Sequence, residues 1–365
     1  MSNFIWKFMK ARMVLIGGFL GAGKTTLINK IAQKFIEDKV PVGVITNDQG
    51  ELLVDTEFIK VRGLNVEEVC GGCFCCNFPK LLDNANKLLK QVNPQYIIAE
   101  PVGSCTDLIA TVAIPMKKHH GDRFSVAPLI VLIDAPRLLN NAFDTSTLGG
   151  YLRSHQAEEA EYLILTKIDE IGSDDVESLI LKLRDINPDR KIIPYSAVTG
   201  EGLQEILDII TSEEETARKP VDVDYDKYAE AEAELGWYNG IYEFTAPEYD
   251  SYELSMSILK DLASKYMPSD IAHAKVAITN ENSHTKISLI SNEFTIGGVK
   301  GSRFGKGVSK LNFNARIVSE PERLRQTIRE TIESCFKEKC IQYELQFDDC
   351  FSPGRPNPTY RILDE

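Results

Sequence analysis

The stretch that most limits what this chain can become is residues 13–27, MVLIGGFLGAGKTTL. Residues 13–17 read as a short buried strand. Gly18-Phe19-Leu20-Gly21-Ala22-Gly23-Lys24-Thr25 is then a full G-x-x-x-x-G-K-[ST] match running into a helical pattern. Gly18, Gly21 and Gly23 let the backbone curl, so that successive N–H groups, that of Ala22 included, point at one phosphate. The helix opening at Lys24 adds its positive end. On this reading Lys24 reaches the β- and γ-phosphates, the Thr25 hydroxyl ligates Mg²⁺, and Thr26 joins the nucleotide-binding set.

The strands that follow each end in a residue of the right chemistry. Val42-Gly43-Val44-Ile45-Thr46 delivers Asn47-Asp48-Gln49-Gly50-Glu51, and Tyr96-Ile97-Ile98-Ala99 delivers Glu100-Pro101-Val102-Gly103. In open α/β sheets ligands sit beyond the strand C-termini, which aims Asp48 at the γ-phosphate. Glu100 is placed as the Mg²⁺-side acid, and Gly103 can offer its N–H to the γ-phosphate. Two later strand ends choose the base: Thr166-Lys167-Ile168-Asp169 and Ser196-Ala197-Val198-Thr199. An Asp at 169 accepts two N–H bonds from guanine that adenine cannot supply. The stem of Lys167 packs on the base, and the Ala197 N–H reaches the guanine oxygen. The wrong base leaves a carboxylate unpaired, which favours GTP over ATP.

With 365 residues the chain has room for two domains. Residues 1–218 read as a P-loop NTPase domain with a mostly parallel sheet, and 219–365 as a smaller α+β domain with helices on one face of an antiparallel sheet. The junction lies in the Glu-, Pro- and Asp-rich run 212–224. In the second domain, Gly297-Gly298-Val299-Lys300-Gly301 reads as a hairpin turn, and the proline-rich tail from Cys350 to Pro358 as irregular. No run of 18 apolar residues is present, and Lys7, Lys10 and Arg12 precede an apolar run that is the first strand itself. The expectation is a cytoplasmic protein with no membrane association. A net charge of −13 argues against nucleic acid as a partner.

Four of the eight cysteines, Cys70, Cys73, Cys75 and Cys76, lie within seven residues, which suggests metal or redox chemistry and not a disulfide framework. Thiolates select soft or borderline ions, so Zn²⁺ or Co²⁺ suit the cluster better than Mg²⁺. Cys73, Cys75 and Cys76 would leave a fourth position for Glu68, Asp48 or a target ligand, as reversible transfer requires. A structural zinc site and a thiol redox switch are the two other readings.

Taken together, Gly17-Gly18-Phe19-Leu20-Gly21-Ala22-Gly23-Lys24-Thr25-Thr26, the run from Asn47 to Glu51 with Asp55, Cys73-Phe74-Cys75-Cys76 after Glu68, Glu100-Pro101-Val102-Gly103, Val131-Leu132-Ile133-Asp134-Ala135 and Thr166-Lys167-Ile168-Asp169 resemble the CobW-like GTPases, relatives of UreG and HypB. The resemblance covers about the first 215 residues, and the C-x-C-C is its most specific part. It departs from the family pattern at Gln49, Val102 and Thr166, and the frequent His-rich run is absent. What it implies is a GTPase that binds a transition metal through those cysteines and delivers it to a client metalloprotein or a cobalamin-related (corrinoid) target, with a nucleotide-dependent homodimer as one assembly. Lys24, Thr25, Asp48 and Glu100 would carry the chemistry. With no evident water-positioning residue, turnover should be slow, about 10⁻⁴ to 10⁻² s⁻¹ as in unassisted switch GTPases. The rival from another class is a non-catalytic GTP-dependent scaffold or sensor.

Overall fold

The computed structural model describes residues 10–47, 65–69, 72–140, 143–144, 147–290 and 293–363. Asp48, Gln49, Gly50, Glu51, Asp55 and Cys70, all named above, lie outside them. By contact the chain forms two compact units: 10–47 and 65–224 together with 356–363, and, separately, 225–355.

The first unit is a parallel sheet. β1 (Ala11–Gly18) is buried along its whole length, as expected of a strand with both faces covered. Around it run β2 (Val42–Asn47), β3 (Asn65–Val69), β4 (Tyr96–Glu100), β5 (Phe124–Val126), β6 (Ile130–Asp134), β7 (Tyr162–Thr166) and β8 (Lys191–Tyr195). The order is β3-β2-β4-β1-β6-β7-β8, with β5 pairing the first residues of β1. All these pairings are parallel, so the loops after Gly18, Asn47, Glu100, Asp134, Thr166 and Tyr195 share one edge. Helix α1 (Lys24–Glu37) buries Leu27, Ile28, Ile31, Ala32 and Phe35, and Phe35 stacks on Tyr96 of β4 at 4.7 Å. Helix α2 (Phe78–Val92) carries Pro79 in its first turn, where its missing N–H costs no intrahelical bond, and buries Phe78, Leu81, Ala85 and Leu88. No helix among the described residues is long and apolar enough to cross a membrane.

The second unit is an antiparallel sheet, β12-β11-β10-β13-β9-β14. Its strands are β9 (Leu235–Asp250), β10 (Ile271–Asn280), β11 (Ser283–Ile290), β12 (Glu293–Gly301), β13 (Phe304–Val318) and β14 (Gln342–Phe351). Helices Ser251–Ala263 and Pro321–Glu338 share a core with it, through Leu254, Ile258, Leu324 and Ile328 against Val276, Ile287 and Phe313. One expectation is corrected here. Residues 297–301 are not a hairpin turn but the second half of β12, paired with β11 through Val299↔Thr285 and Gly301↔Ser283. β12 is an edge strand, and the register shift at Lys286/Ile287 leaves Gly297 without a partner on β11.

Candidate functional site

The phosphate loop is held open by backbone geometry that only glycine adopts cheaply: Gly18, Gly21 and Gly23 have φ of 128°, 84° and 95°. A Cβ on Gly18 would in addition meet the Leu132 carbonyl oxygen at 2.5 Å. The Lys24 ammonium lies inside the loop, donating to the Gly18 carbonyl at 2.7 Å with that of Phe19 at 3.4 Å. Across the mouth, the Thr25 hydroxyl donates to the Glu100 carboxylate, 2.9 Å from Oε1 and 3.2 Å from Oε2. Both residues are buried, 75 positions apart in sequence. Adjacent β1 and β4 set this meeting: Glu100 is the last residue of β4, and Thr25 lies in the first turn of α1, which the phosphate loop joins to the end of β1. A hydroxyl and a carboxylate side by side are hard oxygen donors, the set that Mg²⁺ takes beside phosphate oxygens. Ala22 is buried in the loop, and Thr26 points outward from the first turn of α1.

Gly103 packs directly on the loop: a Cβ there would lie 2.6 Å from Leu20 Cδ2 and 3.0 Å from its backbone nitrogen. Buried Gln156, which the sequence reading did not single out, donates from one amide nitrogen to the carbonyls of Gly103 (3.0 Å) and Cys105 (2.8 Å). Two arginines were also missed. Arg137 donates to the Leu20 carbonyl at 2.7 Å, and Arg153 lies 4.7 Å over the Phe19 ring. Burial, with Arg137 nearby, pulls Arg153 down to about 10. The run Asp134-Ala135-Pro136-Arg137 at the end of β6 was the available signal for Arg137.

At the base-side strand ends, the Thr166 hydroxyl reaches the Ala22 carbonyl at 2.9 Å, tying β7 to the phosphate loop. Lys167 adopts φ 60° and ion-pairs with Asp134 at 2.6 Å, which stretches its stem across the edge of the sheet. Asp169 is exposed in the short turn that follows. Buried Ser196 accepts from the N–H groups of Val198 and Thr199, each at 3.1 Å, and so shapes the turn carrying Ala197.

The cysteine segment starts where β3 ends beside β2. Asn47 clamps it, donating to the carbonyls of Val69 (2.9 Å) and Gly72 (2.8 Å). The sulfurs of Cys73, Cys75 and Cys76 lie within 4.8 Å of one another, and Cys75 and Cys76 are 3.8 Å apart. A tetrahedral ion with metal–sulfur bonds of about 2.3 Å needs sulfurs about 3.8 Å apart, so the donor set fits Zn²⁺ or Co²⁺. Glu68, on β3, is not part of that group; its carbonyl accepts from Asn84 at 2.9 Å. Hydrogen bonds from Cys105, Cys75 and Cys76 hold Cys73 well below the usual thiol range, while contact with Cys105 and Cys73 drives Cys75 well above it.

The tail returns to this cluster. The Asn357 N–H donates to Cys76 Sγ at 3.2 Å, and the Thr359 N–H to the Cys75 carbonyl at 2.9 Å. Tyr360 sets its ring edge-on to Phe78 at 5.2 Å, and Arg361 pairs with fully buried Asp107 at 2.8 Å. Glu159, fully buried beneath the same turn, accepts from Thr106 at 3.2 Å and from the Ile109 N–H at 3.4 Å. Burial first, and the charge of Asp107 second, push it up to about 8.

That shift has a measurable sign. Between the ordinary carboxylate range and about pH 8 the folded chain keeps a proton at Glu159 that the unfolded chain has released. The stability that neutral Glu159 contributes should therefore be fully present at pH 4, fall as pH rises through that window and level off above it. Glu159→Gln removes the titration and should raise stability at pH 8 by up to about 4 kcal/mol with little change at pH 4.5. Urea unfolding at the two pH values measures this, and an equal difference from wild type at both would refute it.

A curled phosphate loop, an oxygen-donor pair at its mouth and base-side turns on one sheet edge define a P-loop nucleotide-binding protein. Residues 12–194 match the family model described as CobW/HypB/UreG, nucleotide-binding domain, and the chain belongs to this family. Zinc chaperone YeiR of Escherichia coli (strain K12) is 37% identical over 94 residues, which are 25% of this chain and 28% of that protein. Zinc-regulated GTPase metalloprotein activator 1 of Dictyostelium discoideum is 24% identical over 236 residues, covering 54% of this chain and 49% of the other. Hydrogenase maturation factor HypB of Escherichia coli (strain K12) is 27% identical over 189 residues, 51% of this chain and 58% of its own length. The chain thus spans about a quarter to a little over half of the curated relatives it matches.

Proposed function

We propose that this protein is a Mg²⁺-dependent GTPase that binds Zn²⁺ or Co²⁺ through Cys73, Cys75 and Cys76 and delivers it to a client metalloprotein. The observation that carries the reading is that β2, through Asn47, grips both ends of the strand-to-cysteine connection, one residue before the Asp48 assigned to the γ-phosphate. Thr25 and Glu100 hold Mg²⁺, Lys24 neutralises the β/γ-phosphates, and Asp169 with Ala197 selects guanine. The names of the relatives, zinc chaperones and a maturation factor among them, support metal delivery as the task. A corrinoid-related client and a nucleotide-dependent homodimer belong to the same proposal, as does a cytoplasmic location.

If nucleotide and metal share one element, each must alter the affinity of the other by the same factor. Zn²⁺ and Co²⁺ are titrated against a chelator, under reductant and fixed Mg²⁺, into protein loaded with GDP or a non-hydrolysable GTP analogue. A five- to 150-fold difference, about 1–3 kcal/mol of coupling, is expected. Identical affinities in the two states would reduce the cluster to a structural zinc site.

A further inference from the structure

The proline-rich tail has no regular structure, yet it aims a hydrogen-bond donor at a sulfur. Pro356 and Pro358 carry no N–H, so Asn357 holds the one main-chain donor of that tripeptide. The proline after it biases its backbone toward extended conformations. That donor reaches Cys76 Sγ at 3.2 Å, while Asn357 is otherwise exposed. Cys76 in turn gives its own N–H to Cys73 Sγ at 3.4 Å, so two sulfurs of the group each receive a main-chain donor. Thr359 fastens the segment, its N–H on the Cys75 carbonyl at 2.9 Å and its hydroxyl on the Cys76 carbonyl at 3.1 Å. Beyond it the Tyr360 ring lies 5.2 Å from the rings of both Phe78 and His119, and the Ile362 N–H donates to the Ala110 carbonyl at 3.0 Å. Arg361 Nε donates to Asp107 at 2.8 Å. Asp107 has φ 62° and no exposed surface, a left-handed conformation uncommon outside glycine. Anchor and donor share one short segment, so the ion pair fixes where the Asn357 N–H points.

We propose that residues 356–363 form the outer shell of the transition-metal site: the Asn357 N–H orients Cys76 Sγ and offsets charge on it, and Arg361, through Asp107, positions Asn357. This deepens the metal-delivery reading and rests on it. Three thiolates on a divalent ion leave one negative charge, and Cys73 and Cys75 are only 2% and 1% exposed, so little water screens it. Groups that hydrogen-bond the ligands without touching the metal fix ligand direction and tune affinity, and losing one costs about 10- to 100-fold. Cys76 is the partly exposed member of the three, the sulfur with most room to swing away, and the tail holds it in place. The donor also withdraws electron density from that sulfur, so the absorption of a thiolate-bound ion reports it. Asn357 and Arg361 are thus positioning residues, acting on the ion only through Cys76.

The full chain, reduced and anaerobic, is titrated with Co²⁺ in the GDP state as wild type, Asn357→Ala, Asn357→Pro, Arg361→Ala and Arg361→Lys. Circular dichroism confirms that each variant is folded. Asn357→Ala keeps the main-chain donor and should stay within about twofold of wild type in Co²⁺ affinity. Asn357→Pro removes that N–H and should weaken Co²⁺ binding by about 10- to 100-fold. Its sulfur-to-cobalt charge-transfer absorption should move to longer wavelength at unchanged intensity, because three thiolates remain and one has lost its donor. Arg361→Ala should move affinity and absorption the same way, and Arg361→Lys, which keeps a cation for Asp107, should recover most of the loss. Asn357→Pro with wild-type affinity and band position would overturn this inference, as would Asn357→Ala weakened as much as Asn357→Pro; the three-cysteine site would stand in either case. If Asn357→Pro does not fold, the arginine pair decides, and an unmoved band in Arg361→Ala overturns the inference. Wild type that takes up no Co²⁺ would overturn the metal-delivery reading as well.

Discussion

Glu100→Gln should lower Mg²⁺-dependent GTP hydrolysis by about 10²- to 10⁴-fold while leaving Mg²⁺-free nucleotide binding nearly unchanged. The substitution keeps the shape of the side chain and an oxygen for the Thr25 hydroxyl, now 2.9 Å away, but removes the charge. Charge is the property that matters at a dication, whose stabilisation of developing phosphate charge is worth several kcal/mol, each 1.36 kcal/mol being tenfold in rate. Glu100 also sits in the interior of the parallel sheet edge, between β2 and β1, where a larger change would disturb packing. Phosphate release measured across a Mg²⁺ titration gives the answer. Turnover within threefold of wild type at saturating Mg²⁺ would remove Glu100 from the reacting site.

Asp169→Asn should weaken GTP binding by about 2–4 kcal/mol, roughly 30- to 1000-fold, and open the site to xanthine nucleotide. In the proposed reading the carboxylate would accept from two guanine N–H groups, whereas an amide would present one acceptor and one donor, and that donor would face a donor. Asp169 is exposed on its turn, so the loss is one of recognition and not of folding. Lys167, anchored to Asp134, keeps its stem in place for the base it is proposed to support. Competition of GTP, ATP and XTP against a fluorescent nucleotide distinguishes the outcomes. Equal GTP affinity in variant and wild type, or ATP binding as tightly as GTP to wild type, would show that the base is read elsewhere.

Much of the nucleotide half was legible because its signals are local. A glycine loop between a strand and a helix, or Asp169 three residues past Thr166, is complete within one short window. The pairing of Thr25 with Glu100 was legible for a different reason: parallel strands deliver their ends to one edge whatever lies between them. Weak strands were not legible. β3 is Asn-Val-Glu-Glu-Val, with two carboxylates in five residues, and β5 is three residues long. β14 lies at a sheet edge and is half polar, so it has no clean alternation to read. Contacts across long separations that no pair of parallel strand ends brings together left little trace. The 281-residue step from Cys76 to Asn357 has no pattern in the chain, and Cys105 is legible in it only as an extra thiol that would widen a metal site. The Arg361–Asp107 pair, whose carboxylate is wholly buried, is equally silent in composition.

The return of residues 356–363 to the first unit also sets an order in time. That segment leaves the ribosome only after all of 225–355, the whole second unit, has been made. At about 5–20 residues per second the wait is on the order of ten seconds. During it the sheet, the phosphate loop and the thiols of Cys73, Cys75 and Cys76 can already be in place, while the partner of Asp107 and the backbone that meets Cys75 and Cys76 do not yet exist. A nascent chain thus passes through a stage in which its thiol cluster is more accessible than it will be in the finished protein.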